Sequence, residues 1–297
     1  MEDNCERHES LAALAQAIID RRAILFVGAG VSMQVGLPSW QALTEYMVDE
    51  LELDRDLLSK PDVHYQTVAE YYRLRGGNMD LLGHWLRDNW SICQEQVAGS
   101  AAHELLVSLD FPVIYTTNYD RNLEAAFEHH GKPYAKITNA RDLTEVSEGV
   151  TQIIKFHGDL DDPASLVLAE SDHFERLSFE TPLDVRFRAD ALGKTVLFIG
   201  YSMSDMNIRL LLYRLWQTWQ RSGFAEDRPP SFIFMPRGNE VQEAVLRHWG
   251  ISVLRDETED PGLALIDFLR RLAAEVALLR RASPELRAAP GWPGETY

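Results

Sequence analysis

Six short apolar runs rich in β-branched and aromatic residues punctuate the chain: AILFV at 23–27, PVIY at 112–115, QIIKF at 152–156, TVLFI at 195–199, SFIFM at 231–235 and ISVL at 251–254. A strand buried on both faces carries no polar–apolar alternation and reads as a nearly continuous apolar run. Stretches with helical periodicity lie between them, at 11–19, 123–127, 208–219 and 241–249. Strand and helix in alternation predict a doubly wound α/β fold with a mainly parallel sheet of about six strands.

The interval between the first two runs is far longer than one crossover helix needs. Residues 40–109 read as several helices, broken at Lys60-Pro61 and Gly76-Gly77, and are expected to form a helical lobe inserted after the first strand and its helix. No proline- or serine-rich linker divides the chain, so residues 1–281 are expected to form one domain, with 282–297 a mobile tail.

Composition narrows the function classes. With 297 residues, 45% hydrophobic and 25% charged, the chain can bury a substantial core and does not resemble a disordered one. No apolar run is long enough to span a bilayer, and the start, MEDNCERHES, is acidic where a secretory signal is basic and then apolar. A cytoplasmic location is the expectation. The net charge of −17 opposes nucleic acid as a direct ligand, since a phosphate backbone calls for a basic surface. Two cysteines, Cys5 and Cys93, cannot build a four-thiolate zinc site, so no metal is expected.

Four polar clusters follow four of the predicted strands. Gly28-Ala29-Gly30-Val31-Ser32 comes directly after AILFV. Glycines at such a turn admit a phosphate close to the backbone at a helix N-terminus, though a tight turn with close packing would also explain them. A GxGxxG fingerprint would need glycine at Met33, and no GK[ST] follows for a P-loop. Thr116-Thr117-Asn118-Tyr119-Asp120 follows PVIY, and helix capping alone would account for it. His157-Gly158-Asp159 follows QIIKF; a histidine there is placed as a general base near neutral pH, or is simply a hydrogen-bonded structural residue. Gly200, Ser202, Asp205 and their neighbours follow TVLFI as a further turn or a second polar edge. In doubly wound sheets ligands bind beyond the carboxyl ends of the strands. Four such clusters on that rim predict a polar pocket for a phosphate-bearing ligand.

The set GAGVS, TTNYD, KFHGD and GYSMSDMNIR, in order and each behind a strand, resembles the sirtuin-like (silent information regulator) domains of bacterial antiphage defence proteins. The likeness runs from about Leu11 to Leu254. It implies a Rossmann-like fold with an inserted helical module, and NAD as substrate. Asn118 and His157 match the family's catalytic asparagine and histidine, with Asp120 beside them as a third catalytic position. Gly28, Ala29, Gly30 and Ser32 match the loop against the pyrophosphate, Thr117 falls within the cofactor-binding set, and Gly200, Ser202 and Asp205 match the second nucleotide-contacting loop. The zinc ribbon of sirtuin deacetylases is missing, and TTNYD stands where they carry TQNID. Both departures point away from deacetylation. The resemblance therefore implies an NAD glycohydrolase that depletes NAD in abortive infection. It further implies a homo-oligomer and a HerA-type ATPase as partner. A nucleotide-sensing module without turnover, or a nuclease component of the same defence complex, are the alternatives.

Overall fold

The computed structural model describes residues 2–38, 40–60, 63–90, 94–176, 178, 180–201, 206–256 and 258–282. Its centre is a parallel sheet of seven strands: β1 (Ala23–Val27), β2 (Val113–Thr116), β3 (Tyr134–Ile137), β4 (Thr151–Lys155), β5 (Thr195–Ile199), β6 (Ser231–Phe234) and β7 (Ile251–Leu254). They run in the order β3-β4-β2-β1-β5-β6-β7. The doubly wound fold is as expected, with seven strands in place of about six. The additional one is β3, an edge strand of sequence YAKI that is only partly buried and so carries no continuous apolar signature.

The burial pattern explains why the other strands were legible. All five residues of β1 and all five of β5 are buried. Along each strand alternate side chains serve two separate cores. Leu25, Val27, Ile114 and Leu197 face one layer, which helices Glu2–Ile19, Ala101–Leu109, Asn122–His129 and Pro261–Ala282 cover. Ile24, Phe26, Tyr115 and Phe198 face the other, covered by helices Pro182–Gly193, Met206–Ser222 and Glu240–His248.

A third core belongs to the segment spliced between β1 and β2. Helices Trp40–Glu50, Tyr65–Leu74 and Met79–Asn89 bury Leu43, Met47, Tyr72 and Leu86 together with Tyr119 and Leu160, which come from the loops after β2 and β4. The lobe is thereby seated on the carboxyl-terminal rim of the sheet.

On one side of β1 lie β2, then β4, then β3 at the edge, and after β4 the chain crosses back to place β5 on the other side of β1. The β1/β5 junction is the topological switch point, the position at which open α/β sheets bind ligands.

Candidate active site

The turn after β1 and the turn after β5 interlock. Gly28 N donates to the carbonyl of Ile199 and Gly30 N to that of Gly200, each at 2.9 Å. A Cβ on Gly28 would lie 2.4 Å from the Gly200 oxygen, so no side chain fits there. Gly200 itself holds φ +63°, and a Cβ on it would meet the Val31 nitrogen at 2.8 Å. The close packing considered for GAGVS is thus real, and it leaves Ala29 as the residue of the loop that faces the cavity.

Thr116, the last residue of β2, ties its own turn to β1. Its hydroxyl donates to the Val27 carbonyl at 3.0 Å and accepts from the Asn118 amide N–H at 3.0 Å. Asn118 then reaches back to the glycine loop: Nδ2 donates to the Gly28 carbonyl at 3.1 Å and to Ser32 Oγ at 3.0 Å. A carbonyl only accepts, so the Gly28 contact fixes which way the amide faces. Oδ1 is left buried, without a hydrogen-bond partner among the described residues.

His157 follows β4 and is 4% exposed. Its ring stacks on Phe156 and meets His173 edge-on at 5.6 Å between centroids. Arg176 lies 4.3 Å from the centre of the Phe156 ring and pairs with the buried Asp184 at 2.7 Å. Burial, then the Arg176 and His173 charges, hold the imidazole pKa well below 6.5. His157 is neutral at pH 7, and its Nε2 has no partner among the described residues.

Asp120 is 3% exposed; one oxygen accepts from Asn122 N at 3.0 Å and starts the following helix, while Oδ2 has no partner among the described residues. Asn118, Asp120 and His157 share the wall of one cavity of about 420 Å³ with Ala29, Thr117 and Gly200. That volume falls within the roughly 300–1,000 Å³ of small-molecule sites. Gly28, Gly30 and Ser32 stand behind this wall rather than in it. Ser202 and Asp205 lie outside the described residues. No group of three or more metal-ligating side chains occurs among the described residues.

The lobe supplies what the motifs did not show. Trp40 and Trp90 form an aromatic wall with Tyr119, Trp90 stacked on Tyr119 at 5.6 Å and Trp40 edge-on to both. His173 comes from the helix Glu170–Arg176. No spacing in the sequence links these residues to the strand ends; only tertiary packing brings them there.

An interlocked glycine turn at the switch point of a doubly wound sheet, with an amide and an imidazole facing one cavity, defines an α/β-type pocket. A family model described as a SIR2-like domain matches residues 112–254. Among curated relatives, the NAD(+) hydrolase ThsA of Enterococcus faecium is 34% identical over 203 residues, covering 67% of this chain and 41% of the relative. ThsA of Bacillus cereus is 31% identical over 211 residues, covering 69% and 42%. Defense-associated sirtuin 2 of Bacillus subtilis is 23% identical over 262 residues, covering 87% and 24%. The chain thus spans well under half the length of these relatives. A solved Sir2 homologue in complex with NAD aligns over 89% of this chain and 94% of its own, at 14% identity and a TM-score of 0.47.

Proposed function

We propose that this chain cleaves the nicotinamide–ribose bond of NAD to give nicotinamide and ADP-ribose. One observation carries the reading: Asn118 and His157, on separate strand ends, converge on one cavity, each with a buried polar atom that no described residue satisfies. Buried polar groups are normally paired, and a pair left open in a cavity is available to a ligand. The names of the relatives above support the same activity.

The chemistry asks little of the protein as acid. Nicotinamide leaves a pyridinium as a neutral molecule, so its departure needs no proton. The transition state has oxocarbenium character, as in other glycosyl transfers. The tasks are then to orient the ribose, to hold a water against its anomeric carbon and to take a proton. Asn118 Oδ1 accepts a hydrogen bond from a ribose hydroxyl or from the attacking water. Neutral His157 accepts a proton from that water or a ribose hydroxyl. The unsatisfied Oδ2 of Asp120 steadies the cationic sugar, while its other oxygen stays committed to Asn122. Ala29 and Thr117 at one end, with Gly200, seat the phosphates near the switch point.

The test is nicotinamide release from NAD by the purified chain. Asn118→Ala and His157→Ala are each expected to lower turnover by about 10²–10⁴-fold with the circular dichroism spectrum unchanged. Turnover at the wild-type level in both variants rejects the assignment. In the same reading the activity depletes NAD during antiphage defence, in a homo-oligomer, with a HerA-type ATPase as partner. Co-purification with such an ATPase and its effect on nicotinamide release check that part.

A further inference from the structure

Lys155 ends β4, and its side chain is completely buried. Taking an ammonium out of water is unfavourable unless it is both paired and hydrogen-bonded. An apolar side chain would fill the same space, so the charge calls for an explanation. Nζ donates a hydrogen bond to the backbone carbonyl of Asp120 and lies 3.5 Å from Oε1 of Glu124, which is also fully buried.

The carbonyl it holds belongs to the turn that carries Asn118. One residue earlier, the Tyr119 carbonyl accepts from Leu160 N at 3.3 Å. Two consecutive carbonyls of the Asn118 turn are therefore gripped by the segment that carries His157, from Lys155 on one side of the histidine and Leu160 on the other. At their bases the two segments are already in register, Thr116 opposite Lys155. The lysine is placed to carry that register past the strand ends into the site.

We propose that Lys155 is a positioning residue: its hydrogen bond to the Asp120 carbonyl sets Asn118 at its working distance from His157, and Glu124 supplies only the balancing charge. The inference rests on the NAD-cleaving reading. A purely structural ion pair is the competing account, in which Lys155 does no more than neutralise Glu124.

The two accounts separate in the double variant Lys155→Met/Glu124→Gln, which removes both charges and roughly preserves volume. If the pair is only structural, the double variant recovers stability and turnover together. If Lys155 positions the turn, the variant folds and binds ADP-ribose within about threefold of wild type. Its kcat for nicotinamide release then falls about 10–100-fold, the effect of an ångström-scale misplacement. Glu124→Gln alone, which keeps the lysine-to-carbonyl bond, is expected to lose stability but hold kcat within about twofold. Wild-type kcat in the double variant overturns the proposal, and so does a Glu124→Gln loss of kcat equal to that of the double variant. Should the double variant not fold, Lys155→Arg keeps the charge while displacing the donors; undiminished kcat there overturns the proposal, and a fall at unchanged ADP-ribose affinity supports it. If the wild-type chain releases no nicotinamide, the catalytic reading fails separately. A crystal structure of the double variant, or of Lys155→Arg, then decides the positional claim: a displaced Asn118 turn upholds it and an unmoved one overturns it.

Discussion

At the scale of single residues, the neutral state of His157 has a direct consequence for pH dependence. Burial comes first, followed by the Arg176 guanidinium and His173, in holding its pKa well below 6.5. A base of this kind stays unprotonated at mildly acidic pH, so the acid limb of kcat is expected well below 6.5. His173→Phe removes one of the depressing charges while keeping an aromatic edge against the imidazole, and should move that limb upward. Initial rates of nicotinamide release from pH 4.5 to 8 check both. A limb at or above 6.5 in the wild type would mean that His157 is not the titrating base. Asn118 and Asp120 from one motif and His157 from another share the wall of one cavity, with Gly28, Gly30 and Ser32 outside it. Their roles within it were less legible. Nothing in GAGVS reveals that Gly28 and Gly30 spend their amides on the end of β5 and the turn after it, or that Ser32 is an acceptor for Asn118. Lys155 is a charge within the run QIIKF, and its partner lies 35 residues away along the chain.

At the scale of elements, the interlock between the β1 and β5 turns is the joint that shapes the Ala29–Gly200 end of the cavity. Gly28→Ala forces a methyl group onto the Gly200 carbonyl, a backbone atom with no freedom to swing aside. The expected cost is about 1–3 kcal/mol of stability, read as a lower denaturation midpoint, with loss of NAD affinity. Gly193→Ala is the control. It closes helix Pro182–Gly193 in open space, with nothing within 4 Å of the added carbon, and should change stability by no more than about 0.5 kcal/mol. Equal effects of the two substitutions would show that the interlock carries no special weight. Element reading from sequence succeeded where burial is two-sided, as at β1 and β5, and missed β3. With one edge open, YAKI places Lys136 outward, where it pairs with Asp159 at 3.0 Å and Asp161 at 2.6 Å. A short strand with a lysine in it carries the chemistry of an edge, not of a core, and its sequence resembles a loop.

At the scale of the molecule, stability should fall as the solution is made acidic. His103 is fully buried and its pKa is pushed down to about 4, chiefly by burial; His157 is depressed as well. Below about 6.5 the unfolded chain takes up protons at these positions and the folded chain does not, so folding weakens from about pH 6.5 downward. Asp190 and Asp172, whose pKa values the fold lowers despite the opposing effect of burial, add a further loss once the pH drops through the carboxylate range. Thermal melts at pH 7, 5.5 and 4.5 should give a steadily falling Tm, and His103→Gln should flatten the first part of that slope. A Tm that holds or rises toward pH 4.5 contradicts the assignment of these histidines as buried and neutral. The net charge of −17 sets a second expectation: the chain should show no retention on duplex DNA at physiological salt, where like charge repels. Retention that salt reverses would reveal a basic groove that the overall charge conceals.

The lobe leaves the sheet just after β1 and rejoins it at β2, and these strands are hydrogen-bonded neighbours. Between those points, helices Trp40–Glu50, Tyr65–Leu74 and Met79–Asn89 form a hood over the strand ends. Such a hood can drift in sequence, or be exchanged for another, while both anchorages stay as they are. A graft of the hood that keeps its packing on Tyr119 and Leu160 is the way to reshape the entrance while leaving Asn118 and His157 where they stand.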